Sequence, residues 1–124
     1  MSEAENIDIV RRFCAAWSAG DVPRLIDFFT DDAIYHNMPL QPLQGKDAIK
    51  GAIEQFTAPF ERVEFEVTHI AATGDRVLTE RLDRFIGGEK TVELPVMGTF
   101  EIEDGKIAAW RDYFDMATWT KQMA

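Results

Sequence analysis

The segment Arg76–Phe85, "RVLTERLDRF", decides the fold class because its residues alternate as those of a β-strand do. Successive strand side chains point to opposite faces, so Arg81 and Asp83 share one face with Phe85, and Leu82 points to the other. If Leu82 faces a helix, Arg81 and Asp83 face something else. That is either solvent, the ordinary place for such a pair, or a cavity in which they belong to a polar cluster.

The remaining segments predict helices first and long strands afterwards. Ser2 and Glu5 form a capping box for a first helix, Asp21 caps a short second helix with Leu25, Ile26, Phe28 and Phe29 towards the core, and "GKDAIKGAIEQF" has helical spacing. Period-two patterns then run through "RVEFEVTHIAA", "KTVELPVMGTFEI" and "KIAAWRDYF", with a hairpin signal at Asp104-Gly105. Pro95 within one of these patterns predicts a strand edge or a bulge. This order is typical of an α+β fold, a curved, mostly antiparallel sheet with helices packed on one face.

Length and charge exclude several classes of protein. The 124 residues predict a single domain, 1–124, and the formal net charge of −9 without a Lys/Arg cluster argues against nucleic acid and anionic membranes. No apolar stretch reaches the roughly 18 residues of a membrane span, and "MSEAENIDIV" does not resemble a signal peptide. A cytoplasmic location is therefore expected. Cys14, the one cysteine, is expected to be a small buried hydrophobe.

Two further strands carry polar residues at alternate positions. "YHN" places Tyr35 and Asn37 on one face, and "WRDYF" places Asp112 on the face that also holds Trp110 and Phe114. If these faces and that of Arg81 all line the concave side of the sheet, one pocket holds two carboxylates, a guanidinium, a phenol and an amide. The histidines are given no role: His36 points to the other face, and His69 has no evident partner.

Two carboxylates and one guanidinium in a poorly solvated pocket favour acid/base chemistry. The guanidinium can hold a carboxylate on either side, and the surplus negative charge is removed by one bound proton. The pair then contains one neutral acid and one ionised base. The neighbouring apolar residues fit either a pocket wall or an ordinary core; they are Phe85, Leu94, Val96 and Phe114.

The segments "YHNMPL", "ERLDRF", "MGTFEIEDGKI" and "WRDYFD" resemble those of the limonene epoxide hydrolase family, in the same order and at compatible spacing. The resemblance extends from about Tyr35 to Asp115. It implies a cone-shaped, curved mixed β-sheet of about six strands with the N-terminal helices packed on its concave face. It also implies a homodimer.

The resemblance further implies a one-step hydrolysis of a small apolar epoxide by water, giving a vicinal diol without metal or cofactor. Asp112 resembles the general base, Tyr35 and Asn37 the residues that hold the water with it, Asp83 the general acid, and Arg81 the bridge between the carboxylates. The apolar wall would comprise Phe85, Leu94, Val96 and Phe114.

Two alternatives remain open at this stage. One is a ketosteroid-isomerase-like or polyketide-cyclase-like enzyme of the same fold, which would also use an aspartate base and a phenol. Its carbon-acid chemistry needs no held water, and so no Arg81 bridge beside Tyr35 and Asn37. The other is a non-catalytic binding module in which the polar residues are structural, because fold alone does not define function.

Overall fold

The computed structural model describes residues 1–124 and contains one six-stranded sheet. The strands in chain order are β1 (Phe29–Asn37), β2 (Leu43–Gln44), β3 (Arg62–Thr73), β4 (Arg76–Gly87), β5 (Lys90–Glu103) and β6 (Lys106–Tyr113). Their order in the sheet is β2-β1-β6-β5-β4-β3, with β1 and β6 parallel and every other pair antiparallel. The predicted α+β class and the mixed sheet of about six strands are confirmed.

The helices begin where their capping residues predict. Ser2 Oγ accepts from the Glu5 amide and Glu5 Oε1 accepts from the Ser2 amide, which completes the predicted capping box. Asp21 and Asp115 cap two short helices. No helix is long and apolar enough to cross a membrane. The helices are α1 (Glu3–Ala16), a 3₁₀ turn (Trp17–Ala19), α2 (Val22–Ile26), α3 (Lys46–Thr57) and α4 (Met116–Met123).

The helices cover the sheet face that holds Arg81 and Asp83, so the supposition that Leu82 faces a helix is wrong. Burial alternates along β4, and Arg81, Asp83 and Phe85 are all buried. Leu82 lies on the outer, convex face and is partly exposed. The predicted alternation is confirmed, and β4 buries Arg81 and Asp83 on the same face as Val77 and Phe85.

An aromatic cluster joins the first helix to the centre of the sheet. Phe13 of α1 packs edge-on against Trp110 of β6 and Phe29 of β1, with ring centroids 5.0 and 5.4 Å apart. Phe29 was predicted to belong to the second helix, but α2 ends at Ile26 and Phe29 begins β1. Cys14 is buried as expected, and burial raises the pKa of its thiol to about 12.

Pro95 lies at a local edge, as predicted, because β6 pairs with β5 only from Met97 onward. Before that point α4 takes the place of β6. The Gln122 side chain accepts from the Glu93 amide and donates to the Glu93 carbonyl, both at 2.8 Å. Backbone nitrogens two residues apart in a strand point the same way. The Pro95 nitrogen therefore faces α4, as the Glu93 amide does, and its missing N–H costs no hydrogen bond between strands.

Candidate active site

The Arg81 guanidinium holds two carboxylates at once. It donates to Asp83 from Nε (3.0 Å) and Nη2 (2.9 Å), and to Asp112 from Nη1 (3.1 Å) and Nη2 (2.7 Å). The Arg81 side chain is 0% exposed, and the two aspartate side chains are 4% and 5% exposed. Of the two predicted settings for Arg81 and Asp83, solvent is therefore wrong and the polar cluster within the fold is right.

A glycine and a threonine make room for this cluster. Gly98 of β5 pairs with Asp112 on one side and with Thr79 on the other. A Cβ atom at Gly98 would collide with Arg81 Nη1 and Asp112 Oδ1, so only glycine lets the guanidinium cross β5. Thr79 Oγ1 accepts from Arg81 Nη1 at 3.1 Å and donates to the Gly98 carbonyl at 3.2 Å. The sequence pattern did not predict a role for either residue.

Aromatic rings support the cluster from the core side. Trp110 Nε1 donates to Asp112 Oδ1 at 2.7 Å, and the Trp110 ring stacks on Tyr35 with centroids 4.2 Å apart. The Phe65 ring centroid lies 4.8 Å from the Arg81 guanidinium carbon, which is cation–π distance. The orientation of Asp112 is therefore set by two neighbours, a guanidinium and an indole.

Burial and the ionic contacts act in opposite directions within the cluster, and which of them prevails differs from group to group. Burial raises the pKa of Asp83 to about 6 from an ordinary 3.8, although the Arg81 charge and hydrogen bonds act in the opposite direction. Burial also opposes the charge on Arg81, but Asp112 and Asp83 outweigh it and hold the pKa of the guanidinium well above its usual range. The pKa of the buried Tyr35 phenol is raised, again mainly by burial, so the phenol keeps its proton.

A cavity of about 140 Å³ opens above the carboxylates and has a mainly apolar lining. Of the nine predicted site residues, all but Arg81 line it; Arg81 lies behind the two aspartates. The structure adds five lining residues that were not predicted, drawn from the segment after β1 and from α3, β3 and α4: Leu40, Phe56, Phe65, Met116 and Trp119. Trp119 packs edge-on against Phe85, with centroids 5.0 Å apart, and so ties α4 to the cavity.

The two histidines lie outside this cavity. His36 Nε2 lies 3.0 Å from the Leu40 carbonyl. His69 Nδ1 lies 2.9 Å from Glu80 Oε1 on the exposed side of the sheet, so the prediction that His69 has no partner is wrong. No cluster of three or more His, Cys, Asp or Glu side chains has an arrangement that could hold a metal ion.

A mainly apolar cavity with a pair of buried carboxylates at one end is typical of an enzyme active site for a small molecule. This chain belongs to the family of limonene-1,2-epoxide hydrolase catalytic domains, which matches residues 4–124. The resemblance found in the four sequence segments is therefore confirmed at the level of the family.

One sequence match and one structural match from Mycobacterium tuberculosis support the assignment. Epoxide hydrolase EphG is 40% identical over 88 residues, which cover 69% of this chain and 57% of EphG, so the match spans little more than half of that relative. The structure of an LEH-like epoxide hydrolase is 34% identical with a TM-score of 0.81, covering 97% of this chain and 90% of the other.

The fold is also found outside this family. A structure described as a putative polyketide cyclase from Xanthomonas campestris superposes with a TM-score of 0.88, covering 98% of both chains. Its identity is only 18%, so the likeness concerns the fold alone.

Proposed function

We propose that the protein is a cofactor-independent epoxide hydrolase that converts a small apolar epoxide into a vicinal diol in one step. The observation that carries this proposal is the Arg81-bridged pair of Asp83 and Asp112 at the deep end of an apolar cavity. Opening an epoxide calls for an acid that protonates the leaving oxygen and a base that activates water. Each such proton transfer contributes about 10²–10⁴-fold in rate.

Asp112 is the proposed base. Its two oxygens already accept three hydrogen bonds, two from Arg81 and one from Trp110. An ionised carboxylate offers about four acceptor sites, so about one is left for a water molecule. Tyr35 and Asn37 line the same cavity and supply the donors and acceptors that hold this water in line with the carbon under attack.

Asp83 is the proposed acid. With a pKa raised to about 6, it retains its proton to a higher pH than an ordinary aspartate does. In the reaction the water oxygen forms a bond to one ring carbon and loses a proton to Asp112, while the bond from that carbon to the ring oxygen breaks. The ring oxygen takes the proton from Asp83. The cycle closes when Asp112 loses a proton and Asp83 regains one, with Arg81 compensating the charge of whichever is ionised.

The apolar wall sets the substrate class. Phe85, Leu94, Val96 and Phe114 line the cavity and offer no hydrogen-bond partner to the carbon skeleton. A dry cavity of about 150 Å³ is known to bind benzene, so one of about 140 Å³ suits a single small ring or a short chain. The apolar wall also helps Asp83 to stay protonated.

A single turnover in heavy-oxygen water tests the mechanism. With enzyme in excess over styrene oxide, we expect the label in the first diol formed and none in the protein. Label recovered first in Asp112 or Asp83 would mean that a carboxylate is the nucleophile, and the one-step mechanism would be wrong. Absence of any diol from a panel of cyclic and linear epoxides would exclude the activity itself.

The same proposal includes a homodimer formed through the convex face of the sheet. This face exposes Leu78, Met97 and Tyr113 at 41%, 49% and 48%, large values for apolar and aromatic residues on strands. Its charges neutralise one another in pairs, including Arg84 with Glu66, so a second copy can approach here despite the net charge of −9.

Sedimentation equilibrium tests the dimer. We expect the unmodified protein to be dimeric and Met97→Glu to be monomeric, because a carboxylate at the centre of the face would be buried without a partner. Ala48→Glu, which adds the same single negative charge on the exposed side of α3, should leave the dimer intact. A monomeric unmodified protein would refute this interface.

A further inference from the structure

A second cavity adjoins the catalytic one and has about twice its volume, about 270 Å³ against about 140 Å³. It lies between α3 and the segment that follows β1. Tyr35, Asn37, Leu40 and Phe56 line both cavities, and the second adds Gln41, Leu43, Ala52 and Gln55.

The position of the shared residues makes the second cavity part of the substrate's surroundings. Tyr35 and Asn37, the proposed holders of the water, lie where the two cavities meet. A molecule whose epoxide carbon touches this water is therefore within reach of both cavities. Leu40 lies at the junction and is 52% exposed, so its side chain can turn aside at little cost in packing.

The chemistry of the second cavity differs from that of the catalytic one. Its lining contains no charged residue and no carboxylate. Besides the two shared polar residues it presents the amides of Gln41 and Gln55, each of which can both donate and accept hydrogen bonds. A charged group placed here would find no counter-ion, whereas a neutral polar group would find partners of either kind.

We infer that the second cavity is a subsite for a neutral, hydrogen-bonding arm, and that the preferred substrates are epoxides in which a small apolar ring carries such an arm, for example an amide, ester or alcohol. This inference rests on the proposed epoxide hydrolysis and extends it. The ring occupies the catalytic cavity, and the arm passes between Leu40 and Phe56 towards α3.

Three probes that share the same epoxycyclohexane ring test which arm the protein prefers. They are cyclohexene oxide, which has no arm, the N-butyl amide of epoxycyclohexanecarboxylic acid, and the free acid. For the unmodified protein we expect kcat/KM to be highest for the amide and lowest for the acid, whose charge has no partner. Ala52 lines the second cavity and not the catalytic one, so Ala52→Phe is expected to take up space in the second cavity alone. It should lower kcat/KM for the amide about tenfold and leave cyclohexene oxide within about twofold.

Gln55→Leu tests the hydrogen-bonding group of the second cavity and leaves the cavity volume nearly unchanged. It should raise KM for the amide several-fold at unchanged kcat, because it removes binding that substrate and transition state share. Ala48→Phe on the exposed side of α3 and Gln44→Leu on β2 are the matched controls, and both should behave as the unmodified protein. Ala52→Phe acting equally on amide and cyclohexene oxide, or on neither, would overturn the subsite.

Calorimetric binding keeps this test separate from that of the proposed function. With Asp112→Asn protein, in which we expect turnover to be at least about 10²-fold slower, the amide should bind more tightly than cyclohexene oxide, and adding Ala52→Phe should abolish the difference. If no epoxide is hydrolysed but this difference is found, the subsite exists and the proposed function is wrong. If hydrolysis occurs and the difference is absent, the subsite is wrong.

Discussion

The two faces of the sheet carry the same kinds of ion pair in opposite surroundings. On the concave face, Arg81 Nη2 lies 2.7 Å from Asp112 Oδ2, with the arginine side chain fully buried. On the convex face, Arg84 Nη2 lies at the same 2.7 Å from Glu66 Oε1, with side chains 30% and 52% exposed. The two ion pairs therefore have equal distances but contribute very differently to the free energy of folding, because water competes for the convex pair and is excluded from the concave one.

The difference shows why the buried pair points to function. Desolvation of buried ions costs several kcal/mol per ion, and apolar residues of similar volume often replace such groups without loss of stability. The concave cluster adds a second carboxylate, which makes its charge unbalanced unless a proton is bound. In return for this cost in stability, the cluster places a carboxylic acid with a pKa of about 6 beside a cavity, which no ion pair on the convex face does.

The largest expected difference between the faces concerns activity. Asp112→Asn removes the proposed base while keeping a side chain of the same shape, so kcat/KM for styrene oxide should fall at least about 10²-fold. Glu101→Gln, which removes the acceptor of the convex pair with Arg111, should leave kcat/KM within about twofold. An Asp112→Asn protein with full activity would remove the concave cluster from the mechanism.

The next expected effect concerns stability. Arg81→Met leaves two carboxylates buried without a cation, so the free energy of urea unfolding at neutral pH should fall by about 3–5 kcal/mol. Protonation of the carboxylates relieves this cost, so the loss should shrink as the pH is lowered towards about 4. A loss that stays constant with pH would indicate a packing defect and not an uncompensated charge.

The pH dependence of stability isolates Asp83. Because its folded-state pKa of about 6 lies above the ordinary 3.8, the folded state binds the proton more tightly than the unfolded state does. The Asp83 contribution is therefore fully present below the ordinary pKa and is lost as the pH rises through about 6. Relative to Asp83→Asn, which does not titrate at this position, the unmodified protein should lose about 2 kcal/mol between about pH 4 and about pH 7.

Urea unfolding of both proteins across this range measures the difference. The comparison with Asp83→Asn cancels the carboxylates outside the cluster, which titrate alike in both proteins. A difference that grows in the opposite direction would mean that Asp83 is stabilised as an anion in the folded state.

The smallest effect is expected on the convex face. Arg84→Met breaks the exposed pair with Glu66, and the urea midpoint should be unchanged within experimental error, at low and at high salt. A shift comparable to that of Arg81→Met would contradict the distinction between the two faces.

Period-two alternation was sufficient to predict which residues share a strand face, and hence that Tyr35, Asn37, Asp83 and Asp112 could line one pocket. It could not predict which face is inside, since both faces of β4 mix charged and apolar residues, and the inner one holds Arg81 and Asp83 while Leu82 stays partly exposed. The family resemblance supplied that choice, because a single strand pattern contains no information about what covers it.

The supporting residues were missed for a different reason. Gly98 and Thr79 act through the register of β5 against β4 and β6, and register depends on partners far away in sequence. Phe56, Phe65 and Trp119 reach the cavity from three separate elements, so no local pattern brings them together. Each was recognisable beforehand only as an aromatic residue suited to a core.

The protonation of Asp83 is the most direct test of the account. The carboxyl carbon of Asp83, followed by NMR during a pH titration and assigned by comparison with Asp83→Asn, should titrate with a midpoint of about 6. The kcat/KM for styrene oxide should fall as the pH rises through the same value, because the acid loses its proton. A midpoint at or below the ordinary 3.8 would make Asp83 a simple ion-paired carboxylate at neutral pH, and the proposed acid would be contradicted.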